Sequence, residues 1–583
     1  MRTAFATHIS PGWLGVFFSP LLTLTWLPGD HRPPWANFES EAWVSGLFLA
    51  LSCFWLAKRR EAVQLPSLAI AMLGLSFWVW MQWICGQVYF LGVIWTPVLA
   101  LVGCAFCVAI GASLSEQPQR DALALSLFAG FLMASLVSVI AQSEQYFGAP
   151  GLLASIGKSP GRPAFFHKAS AYLGQPNLLG TLHLMSWTGC VWMLAHRKLR
   201  APLAAALMCI CLLGLALTGS RTGMLSLLAL CAVFLMTKQA CSDIRAPVLK
   251  SAAFFVIVLL LLKSGQALVS IPGIHDVGHD ASSHAGSSLQ DVMQDSPRLR
   301  AWRMFLEGSL TQFWTGFGWD QSHQVYLLSP NTQGSPTMSE MFVATHNLIL
   351  DLALYCGWPL AIVFTMIVAW QIKRLWQQGT PDRRWFLIAL IPLGIHSMLE
   401  LPHHYLFFLL PAGLMLGMAH PASPPLRPYW QMSPWTARVV VGLMVIAWGL
   451  TVYDYVNIRH KRNVTRFEII RIKNTSLMPY PDTFVLTHQD GWLDFARAKY
   501  SEKFKPEQLA MFEQSVMLMP TKGHIFKLAI LLSANNQPDR AKYWLSRACA
   551  WTPPHTCPDA KQEWQQLQEE FPEIAHLSWP TQQ

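Results

Sequence analysis

Charge is scarce in this chain. Only 13% of its 583 residues are Asp, Glu, Lys or Arg, while 53% are hydrophobic; an ordinary soluble protein carries roughly 25% charged residues. That balance excludes a conventional soluble domain and describes a polytopic membrane protein. The signs of nucleic-acid recognition are also missing. The formal net charge is +10, yet no helix-turn-helix, zinc-ligand spacing or RNP-like aromatic motif accompanies it. The Lys and Arg fall mainly in short loops between apolar runs, where they set topology, and no nucleic-acid partner is expected. Cysteine is nearly absent from polar sequence. Ten of the twelve lie in or beside apolar runs and read as small hydrophobes, which leaves Cys549 and Cys557 as a pair able to form a disulfide in an oxidising compartment. No short hydrophobic leader precedes a small-residue cleavage site, so 12–28 reads as a retained first span.

Long hydrophobic runs are what the chain has in abundance. Windows of spanning length, roughly 17–25 residues, fall near 11–28, 41–57, 65–84, 89–112, 122–142, 177–195, 202–218, 223–237, 251–263, 347–370, 385–401, 404–419 and 438–457, which predicts about thirteen transmembrane helices in an all-α fold. With a cytoplasmic N-terminus, the loops carrying Lys58-Arg59-Arg60, Arg197-Lys198, Lys238, Arg374 and Arg427 all lie inside, as positive-inside topology requires. The segments 143–176, 264–345 and 458–583 then face outward. Arg459, Lys461, Arg462, Arg466, Arg471 and Lys473 resist that assignment, although long translocated domains partly escape the charge rule. The predicted organisation is a membrane domain over 1–457, with a long outer loop at 264–345, followed by a soluble helical domain over 458–583. Within that domain, 526–548 resembles one tetratricopeptide repeat, which flanking helices near 505–518 and 560–571 would have to cover.

The long polar interruption from Ser264 to Thr345 closes on His346-Asn347, at the edge of the next apolar run. An imidazole at the boundary of water and lipid can exchange protons with solvent and still face a lipid-held substrate. Arg221 stands in Gly219-Ser220-Arg221-Thr222-Gly223 on the same predicted side, where its fork suits a diphosphate; a snorkelling interfacial Arg is the alternative. Arg298 and Arg300 open a predicted amphipathic helix whose Trp302 and Phe305 could insert in the membrane while the cations meet head groups. Such cations beside a neutral imidazole make a usable set, holding an anionic leaving group while the imidazole takes a proton from an acceptor hydroxyl. Gln175 and Asn177 offer donors and acceptors to sugar or acceptor backbone, or else merely start a helix. His396 and Glu400, at i and i+4, read as a polar pair that supports the site or orients the acceptor. His275, Asp276, His279, Asp280 and His284 lie in a Gly/Ser-rich loop that fixes no ligand geometry, so no metal site is expected there.

Leu173-Gly174-Gln175-Pro176-Asn177, Ser220-Arg221-Thr222-Gly223, Arg298-Leu299-Arg300-Ala301-Trp302, Thr345-His346-Asn347, and His396 through Tyr405 follow one another in an order that resembles the bacterial O-oligosaccharyltransferases of the pilin glycosylation ligase type. That group lies within the O-antigen ligase and polymerase (Wzy-like) superfamily. The resemblance implies an inner-membrane enzyme with a periplasmic site that moves a glycan en bloc from undecaprenyl pyrophosphate to Ser or Thr of pilin or another exported protein, with inversion. It implies His346 as general base, Arg221, Arg298 and Arg300 on the pyrophosphate, and Gln175, Asn177, Asn347, His396 and Glu400 as sugar-binding, acceptor-binding or supporting residues. No cofactor is implied. No acidic pair stands at an outer span boundary, so metal independence is expected. The rival readings are an O-antigen ligase acting on lipid A core, a transporter of lipid-linked sugars, and a non-catalytic assembly protein.

Overall fold

The computed structural model describes residues 17–29, 33–114, 117–147, 168–237, 242–269, 297–328, 342, 344–421, 430–470, 482–548, 557–571 and 574–579. Among these residues the protein is helical apart from one short antiparallel pair, Val63–Leu65 with Trp430–Met432. The helices begin with α1 (Phe38–Lys58), α2 (Ser67–Ile84), α3 (Leu91–Ser113), α4 (Gln117–Phe147), α5 (Pro176–Ala195), α6 (Ala201–Thr218), α7 (Arg221–Met236) and α8 (Ser242–Val269). After the long polar segment come α9 (Pro297–Thr311), α10 (Leu348–Cys356), α11 (Trp358–Gln378), α12 (Pro381–Ala389), α13 (Ile391–Ser397), α14 (Leu406–Met418) and α15 (Pro434–Ile469). The C-terminal set is α16 (Thr487–Arg497), α17 (Pro506–Leu518), α18 (Lys522–Ala534), α19 (Pro538–Ser546) and α20 (Cys557–Glu570).

Nine of the described helices, α1–α6, α8, α11 and α15, are long and apolar enough to cross a membrane, and α7 and α14 are shorter apolar helices. Leu228, Met236, Leu261 and Leu443 are each at least 60% exposed on such helices, a lipid-facing surface that a water-soluble fold would not carry. The protein is therefore a multi-pass membrane protein. Local chemistry accounts for part of the difference from thirteen spans. The run 347–370 is two helices, α10 and α11, divided at Gly357 with φ +82°. The run 385–401 is likewise divided, between α12 and α13 at Pro392, whose nitrogen has no hydrogen to donate. The window 11–28 contributes only short helical turns at Ser19–Thr23 and Leu24–Trp26, and its first residues lie outside those described.

Two compact units make up the chain. The first takes Met1–Gly74, Ala100–His279 and Ile367–Trp448. Its centre is α5, where every side chain from Leu178 to Met193 is buried. Phe128 and Phe386 pack with Trp192 of this helix, the two Phe rings stacked at 6.5 Å; between membrane helices such contacts stabilise through van der Waals packing rather than transfer from water. Small residues bring backbones close. A Cβ on Gly111 of α3 would lie 2.4 Å from the Leu414 carbonyl, and one on Gly417 of α14 would lie 2.3 Å from that of Val108. A chain of polar groups runs through the interior: His183 of α5 reaches Ser135 at 2.7 Å and Gln142 at 2.9 Å, and Gln142 donates onward to the carbonyls of Ala169 and Gly214.

The second unit takes Leu75–Leu99, Asp280–Met366 and Gly449–Gln583. Phe495, Phe512, Val516, Phe526, Leu531 and Trp564 build its apolar core, and Leu327 from the segment between α9 and α10 joins them. Asp454 of α15 is fully buried because its carboxylate accepts the N–H groups of Phe484, Val485 and Leu486. The last span is thereby tied to the start of the C-terminal helices.

Candidate functional site

The candidate residues form two clusters. In the first unit, Gly174 (φ +70°) turns the chain into α5, with Gln175 at the N-cap position and Pro176 at the first turn. Asn177 does more than begin a helix. Its amide nitrogen donates to Glu400 at 3.2 Å and its amide oxygen accepts from the Ser220 hydroxyl at 2.6 Å. Ser220 also caps α7 by accepting the Gly223 N–H at 3.0 Å. Ser220, Asn177 and Glu400 thus link α7, α5 and the turn after α13, and Glu400 is only 3% exposed. His396 is fully buried and meets Thr181 at 2.8 Å. The i, i+4 pair therefore reaches separate partners on α5.

That frame presents Arg221. It is the first residue of α7, exposed, directly after the capped Ser220. Gly219 (φ +57°) ends α6 in the left-handed region, and the side chain of Lys168 lies across it, with Cγ 3.3 Å from where a Cβ would be. Lys168 is exposed and held by its neighbour: the Ala169 N–H donates to Leu217, and its carbonyl accepts from Gln142. Sequence reasoning passed over this lysine because it sits in no arginine or histidine motif and meets Gly219 only through folding.

In the second unit, His346 has φ +59°, a conformation that costs a non-glycine residue about 1 kcal/mol. Its neighbours hold it there. The Thr345 hydroxyl accepts from the Asn347 N–H at 3.1 Å and donates to the Asn347 carbonyl at 3.0 Å, while the Thr345 N–H reaches buried Asp351 at 2.9 Å. Asn347 caps α10 through Ile349 and Leu350, both at 3.1 Å, so it acts on the backbone that carries His346. Phe342 sets its ring edge-on to the imidazole, centroids 5.7 Å apart.

Helix α9 departs from the expected membrane-inserted arrangement. Phe305 is fully buried against Tyr326, and the Trp302 indole donates to the Thr345 carbonyl at 2.7 Å. The aromatic residues anchor the histidine segment; Leu299, Leu306 and Leu310 are the exposed apolar side chains. Arg298 and Arg300 are both half-buried on the first turn. The turn from Phe313 to Trp319 is bonded to the α10–α11 break: Trp358 N–H donates to the Phe313 carbonyl and Phe317 N–H to that of Leu354. A second imidazole in this unit also escaped the sequence reading. His323 is 5% exposed, and burial lowers its pKa to about 4, which keeps it neutral. The acid and histidine cluster at 275–284 lies outside the described residues, as do Cys549 and the surroundings of Cys557.

Residues 205–365 match the family described as O-antigen ligase, and 385–570 match the family described as virulence factor membrane-bound polymerase, C-terminal. A general O-oligosaccharyltransferase of Acinetobacter baylyi is 24% identical over 546 residues, 90% of this chain and 89% of the relative. A ComP-specific O-oligosaccharyltransferase of the same organism is 20% identical over 362 residues, 62% of this chain and 64% of the relative. Over most of its length the chain is therefore similar to O-oligosaccharyltransferases, and over 205–365 to the O-antigen ligase family. It is thus a membrane glycosyltransferase. Arg221, Arg298, Arg300, His346 and Asn347 fall in the O-antigen ligase match, and His396 and Glu400 in the polymerase match.

Proposed function

We propose that the chain is an inner-membrane O-oligosaccharyltransferase that takes a preassembled glycan from undecaprenyl pyrophosphate on the periplasmic side and joins it to Ser or Thr of exported proteins such as pilin. His346 removes the acceptor hydroxyl proton, the oxygen attacks the anomeric carbon, and the bond to the diphosphate breaks with its electron pair leaving on phosphate. Arg221, Arg298 and Arg300 bind that diphosphate before and after cleavage. Direct displacement inverts the anomeric centre. The donor is already activated, so orientation and charge neutralisation supply most of the acceleration. Gln175 contacts sugar or acceptor; Asn177, His396 and Glu400 fix the frame around Arg221, and Asn347 fixes His346. The membrane domain is 1–457, with the catalytic loop at 264–345, and the soluble 458–583 faces the periplasm.

The observation that carries this reading is the Thr345-His346-Asn347 segment. A histidine kept in a costly backbone conformation by a hydroxyl clamp, a helix cap and the Trp302 indole supports the reading of a positioned base. The full-length similarity to a general O-oligosaccharyltransferase supports a protein acceptor. The test is co-expression with a pilin and a glycan pathway, read by intact mass of the pilin. A glycan-sized mass increase that depends on His346 is expected. Unmodified pilin beside newly capped lipopolysaccharide would instead support the lipid A core acceptor, the reading that the O-antigen ligase match favours. A transporter or scaffold would tolerate His346→Ala.

A further inference from the structure

A cavity of about 760 Å3 in the second unit has no part in the steps above. Its volume falls in the range of roughly 300–1,000 Å3 typical of small-molecule sites. Trp83, Tyr89 and Phe90 supply its aromatic side, from the end of α2 and the loop before α3. The lining also includes Lys461 and Thr465 of α15, Asp482 and Thr483 of the following segment, and Asp490, Asp494 and Arg497 of α16. Gly491 permits the closeness of α16 to Phe90, since a Cβ there would lie 2.8 Å from the Phe90 ring.

We infer that this cavity is a subsite for uncharged sugar residues of the oligosaccharide, which rests on the proposed transferase reading. Charge narrows the choice of guest. An anion would meet Asp482, Asp490 and Asp494, and a cation would meet Lys461 and Arg497, so a ligand of either sign faces repulsion. Two of the ion pairs are internally satisfied, Lys461 with Asp490 at 2.7 Å and Arg497 with Glu468 at 2.9 Å. A neutral polyol suits this wall, because hydroxyls both donate to carboxylates and accept from ammonium and guanidinium groups. Aromatic rings in the same lining suit the apolar C–H faces of a pyranose. Thr465 adds an independent observation. It is 3% exposed and lines the cavity, yet its hydroxyl has no hydrogen-bond partner among the described residues. A buried hydroxyl left so is costly unless something in the cavity bonds it.

The experiment uses the full chain in lipid nanodiscs. Calorimetric titration with the reducing oligosaccharide released by mild acid from the donor lipid should show saturable binding. Asp494→Asn and Tyr89→Ala should each weaken it by about tenfold, the loss expected for one charge-assisted hydrogen bond or one stacking contact. Lipopolysaccharide core oligosaccharide is the second arm. Tighter binding of the released glycan assigns the subsite to the donor, and tighter binding of core sugar assigns it to a saccharide acceptor. Binding of a Lys-rich peptide in place of either sugar would overturn the inference, as would saccharide affinity unchanged in both variants. If one variant fails to fold, the other keeps the comparison. Intact-mass transfer by the unaltered enzyme is measured alongside, so transfer without saccharide binding defeats this inference alone, whereas absence of transfer defeats the transferase reading.

Discussion

At the scale of single residues, His346 and Arg221 announce themselves by type and place: ionisable groups where water meets lipid can exchange protons or bind anions while still facing a lipid-held substrate. His346→Ala should lower transfer by about 10^2- to 10^4-fold, the usual contribution of a general base, while donor binding, followed with radiolabelled lipid, persists. What the sequence hides is the company each keeps. Asn177 bonds Ser220 and Glu400 across 43 and 223 positions, and no local pattern encodes separations of that length. Replacing Asn177 by Ala strips a donor from a 3% exposed carboxylate and an acceptor from a capping serine, a loss of about 1–3 kcal/mol that thermal unfolding in detergent would register. His323 supplies a pH dependence. Its pKa falls from the ordinary 6.5 to about 4 in the fold, so the unfolded chain takes up the proton first as pH drops. Stability from this group is complete above pH 6.5 and declines between 6.5 and about 4, by up to about 1.4 kcal/mol per pH unit. His323→Gln should flatten that decline in a melting series; an unchanged slope would contradict the assignment.

At the scale of elements, hydropathy locates helices well and their interruptions poorly. The apolar run 347–370 looks continuous because Gly357 and its neighbours are as hydrophobic as a span interior. The break lies in backbone conformation: Gly357 adopts φ +82°, and the Phe313–Gly318 turn presses against it so closely that a Cβ would sit 2.4 Å from the Trp314 carbonyl. Gly357→Ala should therefore cost about 2 kcal/mol or more, since an unfavourable φ adds to a clash that backbone atoms cannot relieve. Because α10 begins at the cap beside His346, the same substitution should depress transfer as well as melting temperature. A variant with wild-type stability and activity would show that the break has no structural role. Helix α9 teaches a similar lesson. Its amphipathic pattern is legible, but whether Trp302 meets lipid or protein depends on the Thr345 carbonyl, 43 residues away.

At the scale of the whole molecule, composition alone places the chain in a membrane and separates a soluble-looking C-terminal stretch, but it does not tell how independent that stretch is. Leu327, between α9 and α10, is buried in the same apolar core as Phe512 and Trp564. Asp454 of the last span is buried only because the N–H groups at 484–486 satisfy it. Deleting 480–583 would uncover that leucine and strip the Asp454 carboxylate of its three backbone donors on an apolar helix, a loss of about 1–3 kcal/mol for the hydrogen bonds alone. The truncated protein is therefore expected to lose donor hydrolysis and transfer together and to accumulate poorly in the membrane. Restoring the missing segment as a separate polypeptide should recover both, because the core it rebuilds joins helices α16–α20 to Leu327. Persistent donor hydrolysis in the truncated protein, with transfer alone abolished, would mean that the segment only recruits acceptors and that its packing against Leu327 is dispensable.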